Sequence, residues 1–505
     1  MNKNDEIKNE SKPLITQIDK IDSLNLQVNS FPKEKLIDKI IDEGYLTKYP
    51  IFMTISIFIG FIANGLVMNL FYLIIIPIKK YFSASDLMLE MIAGILFIGL
   101  AMGSAYSSIL SRKYGRAKTV KYLYGIMFIT YLISTLCFNL FILLLSRIIL
   151  GFCVGVTDPL LFNSFGEYLP SKIRGFLLMN SYLFCTLAVF LQNIIALKVM
   201  PFLESDNLQK FLFILNIFYA LAFSVNYFML NNSPRNLIIN SFDMLDEEIK
   251  HKNVKEALKI LNNMNRVNLS KDEEEQLINE IYNSTSNKKL KADLKELFQP
   301  KYFKTTLIGI FVFFIFACEY FGFYLISTLT LEKLNEEEKG EIENNGKNTN
   351  RDIILNQTYI AFFDLLGSVA GGALAEVKYI GRKGVIWIFM ILSALTLIPS
   401  CYSVSLFNVF FTMSMTLGTV YGDMLMTYFS EIFPTKLRDT SSSFFLTSYR
   451  ISGFISQFIF LGLFKLNYKL PYYFGCILNI IGTFSIFILP KEAIGRPLDF
   501  EEVIY

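Results

Sequence analysis

Long apolar runs alternate with short polar stretches along the whole chain. Twelve apolar runs stand out, at about 51–76, 88–110, 120–137, 140–162, 176–197, 211–230, 305–328, 353–374, 385–402, 406–428, 443–464 and 472–489. Many reach about 18–25 residues, the length a helix needs to cross a hydrocarbon layer of about 30 Å. In lipid every backbone N–H and C=O needs an internal partner, and an α-helix supplies one for each. The pattern therefore predicts an all-α membrane protein of twelve transmembrane helices. Polar stretches divide it into a tail (1–48), six spans (49–230), a charged linker (231–304), six more spans (305–490) and a second tail (491–505). In the linker, "VKEALKILNNM" puts Val254, Ala257, Leu258 and Leu261 at helical spacing, which predicts one or more short amphipathic helices.

Composition agrees with the pattern. Hydrophobic residues make up 53% of the 505 and charged residues 18%, the latter below the roughly 25% of soluble domains. A net charge of +3 is too small to imply nucleic acid. The six cysteines all fall in apolar runs, so no disulfide framework is expected. The N-terminus "MNKNDEIKNESKPL" is polar, and the first apolar run is too long for a signal peptide. The single histidine, His251, lies in the linker, and no Gly-Lys-Ser/Thr loop is present to cradle a phosphate. An enzyme, an ATP-driven pump, a metal site and a resident cofactor are all unexpected.

Basic residues collect in alternate loops: Arg112, Lys113, Arg116 and Lys118; Lys172 and Arg174; Lys378, Arg382 and Lys383; Lys436 and Arg438. The acidic loop "EKLNEEEKGEIENNG" falls on the other side. The positive-inside rule then places both termini in the cytosol, in a plasma or vesicle membrane. Asn356, in "NQT", formally fits a glycosylation acceptor.

The chain writes one pattern twice. "EYLPSKIRG" starts at Glu167 and "EIFPTKLRD" at Glu431, 431 − 167 = 264 residues later. A Gly-Arg pair at 115 returns at 381, and Gly151 and Gly155 are matched by Gly418 and Gly422. Six spans separate the copies, so they share one orientation, as in a parallel repeat of two six-helix halves. The i, i+4 glycines suit close helix packing.

These features resemble the major facilitator superfamily over residues 45–498, with "SPRNL" after span 6 and "LPKEAIGRPLDFEE" after span 12 adding to the likeness. "IDKIIDEGYLTKYPIFMTI", "LFQPKYFKTTLIGIFVFF" and "SYRISGFISQF" resemble the synaptic-vesicle-protein-related branch of organic-ion transporters. The resemblance implies two bundles rocking about a central solute site, working as a monomer. It also implies charged loops that latch and release the cytosolic helix ends: Arg112, Arg116, Glu167, Arg174, Arg382, Glu431 and Arg438. Arg112 and Lys378 stand where the family's Gly-Arg loops usually carry Asp.

A charge at mid-membrane costs at least ~2.5 kcal/mol, so each one asks for a role. The spans hold Asp158, Glu319, Asp364, Asp423, Arg147 and Arg450. Glu319 and Asp364 are the candidates to carry a coupled proton. Asp423 and Arg450 lie at similar depth and either pair as a gate, or Arg450 takes a substrate carboxylate in its planar fork. Arg147 either braces helices or touches substrate. Asn64, Asn69, Gln192, Asn193, Tyr320, Tyr324 and Gln457 are candidates to line the site. Span 1 has Asn64 where the resembled branch has acids, which turns the reading from cations towards neutral or anionic solutes. The expected activity is transport of a small organic solute, a carboxylate such as pantothenate, with a sugar or polyol as the rival. A transporter-shaped receptor or vesicle component that moves nothing is the alternative from another class.

Overall fold

The computed structural model describes residues 47–83, 85–136, 139–169, 177–178, 180–203, 205–233, 237, 255–260, 294–339, 346–375, 381–433 and 435–489. Among them twelve long helices form two sets of six, with no strand. The first set is α1 (Lys48–Phe82), α2 (Asp86–Tyr114), α3 (Arg116–Leu136), α4 (Leu140–Tyr168), α5 (Leu183–Val199) and α6 (Leu208–Met229). The second is α7 (Pro300–Ala317), α8 (Gly346–Ala375), α9 (Gly381–Leu397), α10 (Thr412–Glu431), α11 (Thr435–Leu466) and α12 (Leu470–Phe487). α7 runs through one π-turn (Cys318–Gly322) into a further helix, Phe323–Lys339. Eleven helical stretches are long and apolar enough to cross a membrane, and α2 contributes the apolar stretch Met91–Ser107. In the linker, residues 255–260 are helical with Ala257 and Ile260 buried, while Val254 and Leu261 lie outside the described residues.

Small residues set the closest helix crossing. A Cβ built on Gly155 of α4 would lie 2.9 Å from the Cα of Gly103 on α2, nearer than real side chains come. Gly151 meets the carbonyl of Leu96 on the same α2 face. This is the close approach that i, i+4 glycines permit.

The loop after α2 turns at Gly115, whose φ of 83° favours glycine. The turn aims Arg116 at Glu167 near the end of α4, and the two form an ion pair. Ser233, after α6, donates to the other oxygen of Glu167, and Asn232 accepts from the Ala117 amide at 2.9 Å. These contacts fasten three chain segments on one face of the first half, called here the near face. In the second copy Gly381 also has positive φ, 65°, and Lys383 donates to the carbonyls of Phe487 and Leu489 at the end of α12. Arg382 lies beside it, half-buried. The side chains of Arg112, Glu431 and Arg438, and all of Arg174, lie outside the described residues.

Asn356 is 3% exposed within α8 and donates to Asn408 at 2.8 Å. A buried, bonded amide in a helix is no glycan acceptor, and that reading of "NQT" is corrected.

Candidate functional site: a cavity between the halves

The two halves meet around a cavity. From the first half, α1 supplies Asn64, Met68 and Asn69, and α4 supplies Asp158. Tyr182, just before α5, and Cys185, Thr186 and Val189 on it complete that wall. Opposite stand Phe316, Tyr320 and Phe321 of the α7 rod and Ser368 of α8. Thr419, Asp423 and Met426 of α10 and Leu446, Tyr449 and Arg450 of α11 close the second wall. The cavity holds about 890 Å³ of non-protein space, its open mouth included.

The halves close on each other on the far side of this space. Asn193 donates to the Gln357 carbonyl at 3.0 Å and Asn350 to the Phe202 carbonyl at 2.9 Å. Gln457 donates to the Tyr72 hydroxyl at 3.3 Å, and the Tyr72 ring stacks on Tyr324 at 5.9 Å. Phe97 of α2 meets Phe321 edge-on at 4.4 Å. The cavity lies between these contacts and the near face.

On its wall an ion pair joins the halves. Arg450 Nη2 donates to Asp158 Oδ2 at 3.1 Å, and Nη1 donates to the carbonyls of Leu100 and Gly155 at 3.2 and 3.3 Å. Both side chains are almost fully buried, 2% and 8% exposed. Asn64 donates to Asp158 Oδ1 at 2.9 Å, while its own carbonyl oxygen accepts from Tyr124 and Thr157. Arg450 therefore does not pair with Asp423, as the sequence allowed; its partner comes from the opposite half. Asp423 stands on the cavity wall, half-buried, rather than in a latch at the helix ends.

The other candidates divide. Asn64, Asn69, Tyr320 and Arg450 line the cavity. Gln192, Asn193, Tyr324 and Gln457 do not: Gln192 is buried at 1% exposure, Asn193 is taken up by the Gln357 carbonyl, Tyr324 donates to Asp364 at 3.1 Å, and Gln457 ties α11 to Tyr72. Neither proton candidate reaches the cavity. Glu319 is turned back into the second half by the π-turn, where Ser393 and Tyr421 donate to its carboxyl. Asp364 accepts from the Tyr324 hydroxyl at 3.1 Å. Arg147 donates to the Val67 carbonyl at 3.2 Å and lies over the Phe71 ring, bracing the first half. Sequence reasoning gave Asp158 no partner, because the partner lies 292 residues away in the other half. It also passed over Tyr182, Phe316 and Tyr449, which look like ordinary core aromatics in a run.

Comparisons with known proteins agree with this architecture. A family model described as "Sugar (and other) transporter" matches residues 52–504. "Putative transporter svop-1" of Caenorhabditis elegans is 22% identical over 474 residues, 92% of this chain and 86% of that protein. "Synaptic vesicle 2-related protein" of Xenopus laevis is 23% identical over 424 residues, 81% of this chain and 72% of the relative. In fold, the inward-open structure of the xylose transporter XylE from E. coli superposes with a TM-score of 0.67 at 16% identity, covering 90% of this chain and 99% of that one. XylE bound to 6-bromo-6-deoxy-D-glucose gives 0.65 at 18% identity, covering 89% and 98%. The chain belongs to the sugar (and other) transporter family, as a major facilitator transporter related to the synaptic-vesicle-protein branch.

Proposed function

We propose that the protein carries a small carboxylate across the membrane by alternating access, with pantothenate as the specific instance. The observation that carries this reading is the Arg450 guanidinium on the cavity wall. Its planar fork suits a carboxylate better than a point charge does. Tyr320, Tyr449 and Phe316 give the apolar body of such a solute a surface to lie on. The near face, with its basic loops, is read as cytosolic, so the cavity in this conformation opens inward.

A second reading is favoured by a specific feature. Asn64, Asn69, Ser368 and Thr419 on the walls are neutral hydrogen-bonding groups suited to a sugar or polyol, and one structural neighbour holds a halogenated glucose.

Uptake into proteoliposomes over a panel of carboxylates, sugars and amines separates the readings. The expected result is saturable pantothenate uptake. Arg450→Gln is expected to reduce it by roughly tenfold or more, from the ~1.5–3 kcal/mol of a hydrogen bond to a charged group. Sugar uptake with no carboxylate uptake favours the polyol reading. Ligand-dependent thermal stabilisation with no flux for any compound supports a receptor.

A further inference from the structure

We propose that Asp158 and Arg450 are an exchangeable ion pair: a proton taken by Asp158 releases Arg450 to the carboxylate of the solute. This inference rests on the carboxylate reading above. It makes Asp158 the proton carrier, in place of the two acids that the sequence singled out.

Charge balance is the first argument. In this conformation Asp158 and Arg450 face each other as an ion pair, 3.1 Å apart and almost fully buried. A monoanion entering alone would leave an uncompensated charge in a low-dielectric space, which is strongly unfavourable. A monoanion entering with one proton leaves the sum unchanged: neutral Asp158, positive Arg450, negative solute.

Geometry is the second. Arg450 is anchored through Nη1 to two backbone carbonyls, Leu100 and Gly155, and only Nη2 meets Asp158. Loss of the Asp158 contact frees one edge of the guanidinium and leaves the other tethered at the cavity wall. Asp158 is prepared for the exchange as well. Its Oδ1 accepts from Asn64 at 2.9 Å, a bond that survives when Oδ2 takes a proton. Neither partner is stranded.

The step is a proton transfer and an exchange of ion-pair partners. A proton arriving from the aqueous phase at the cavity mouth binds Asp158 Oδ2, and the bond from Nη2 to that oxygen breaks. A solute carboxylate oxygen then accepts from Nη2. On the opposite side the solute leaves, the proton returns to water, and Asp158 and Arg450 pair again. Because the two residues belong to opposite halves, the exchange acts on the contact that must reorganise as the halves rock.

Several other groups face the pair. Tyr124 of α3, Tyr182, Cys185 of α5 and Tyr449 of α11 are its electrostatic neighbours. Asp423 of α10 is the other carboxyl on the cavity wall, so the test includes it.

The experiment uses the purified full chain in proteoliposomes. The probes are radiolabelled pantothenate and its uncharged alcohol analogue. Wild type is expected to accumulate pantothenate up to about tenfold per unit of inward pH gradient, the limit of one proton per solute. Its initial rate should not respond to a potassium–valinomycin potential, because proton and anion cancel. Asp158→Asn is expected to exchange pantothenate with no response to the pH gradient. It should also bind pantothenate more tightly than wild type at pH 8, since Arg450 is then free without a proton. A gradient response lost in Asp423→Asn but kept in Asp158→Asn would assign the proton to Asp423 instead.

Gradient-driven accumulation that persists in Asp158→Asn, or that disappears in Asp423→Asn alone, overturns the proposal. So does a wild-type rate that follows the membrane potential. If Asp158→Asn fails size-exclusion and thermal-unfolding checks, Asp158→Glu replaces it; a pH dependence of uptake identical to wild type in that variant overturns the proposal. A wild type that moves no carboxylate removes the functional reading and this inference together. Carboxylate uptake indifferent to pH removes only the inference.

Discussion

Glu319 is a carboxyl with no cation beside it. It is 3% exposed, forms no ion pair among the described residues, and is met by hydroxyls from two helices, Ser393 of α9 and Tyr421 of α10. Ser393 is itself bonded to Ser414 at 3.0 Å and approached by Asn479 of α12 at 3.4 Å. The group thus knits α7, α9, α10 and α12 together inside one half. Glu319→Gln puts an amide where two donors converge, so at least one donor loses its acceptor. The expected cost is about 1–3 kcal/mol of stability, read as a lower thermal midpoint of the detergent-purified protein. The pH-gradient response of uptake should persist, because this carboxyl does not line the cavity. Loss of that response with an unchanged midpoint would return Glu319 to the role the sequence suggested. The sequence could show that a charge at lipid depth needs a reason. It could not say which way a side chain turns at a π-turn, since no residue pattern marks the extra residue in the helix. For that reason Glu319 looked like a site and Asp158 looked like one acid among four.

At the scale of helices, the crossing of α2 and α4 carries the site. Gly99, Gly103, Gly151 and Gly155 let the two backbones touch, and that contact sets the Leu100 and Gly155 carbonyls where Arg450 finds them. A methyl on Gly155 has to displace backbone, whereas a Cβ on Gly462 of α11 would meet nothing within 4 Å. Gly155→Ala is therefore expected to cost about 1–3 kcal/mol through overpacking and to lower transport with it. Gly462→Ala should be neutral or stabilising by up to ~1 kcal/mol, since alanine suits a helix interior better. Parallel thermal unfolding and uptake of the two variants checks the contrast; equal effects would refute the packing argument. This part of the fold was legible beforehand. The twelve spans and the close packing at Gly151 and Gly155 follow from chain order, but the second pair differs: Gly418 and Gly422 face the side chains of Glu319 and Phe316 rather than another backbone. The helix ends were less so. α1 extends to Phe82 through Lys79 and Lys80, the α7 rod continues into the acidic "EKLNEEEK", and α11 already begins at Thr435. Hydropathy stops at the lipid boundary, but a helix continues wherever its backbone bonds continue.

For the whole molecule, the question is how firmly this conformation is held. Among the described residues the far-side closure includes neutral contacts, Asn193 to the Gln357 carbonyl, Asn350 to the Phe202 carbonyl, Gln457 to Tyr72 and two aromatic contacts, with the Lys79 charge of the first half acting on Glu332 of the second. Each such hydrogen bond is worth about 0.5–1.5 kcal/mol net, so together they bias the rocking equilibrium by only a few kcal/mol. A few kcal/mol suits a carrier, because the reverse conformation then stays populated and a bound solute can shift the balance. The Arg116–Glu167–Ser233 cluster works differently: it joins segments of one half and can travel with that half as a unit. A covalent tie across the far face should therefore stop transport where a tie inside one half does not. With cysteines introduced by Asn193→Cys and Gln357→Cys, oxidation is expected to abolish uptake, and reduction to restore it. The cavity should stay reachable from the near face throughout, so Cys185, which lines it, should still react with a small thiol reagent applied from that face to the oxidised protein. Full uptake after confirmed crosslinking would mean that the far face never opens, and the two halves would then not be alternating about this cavity.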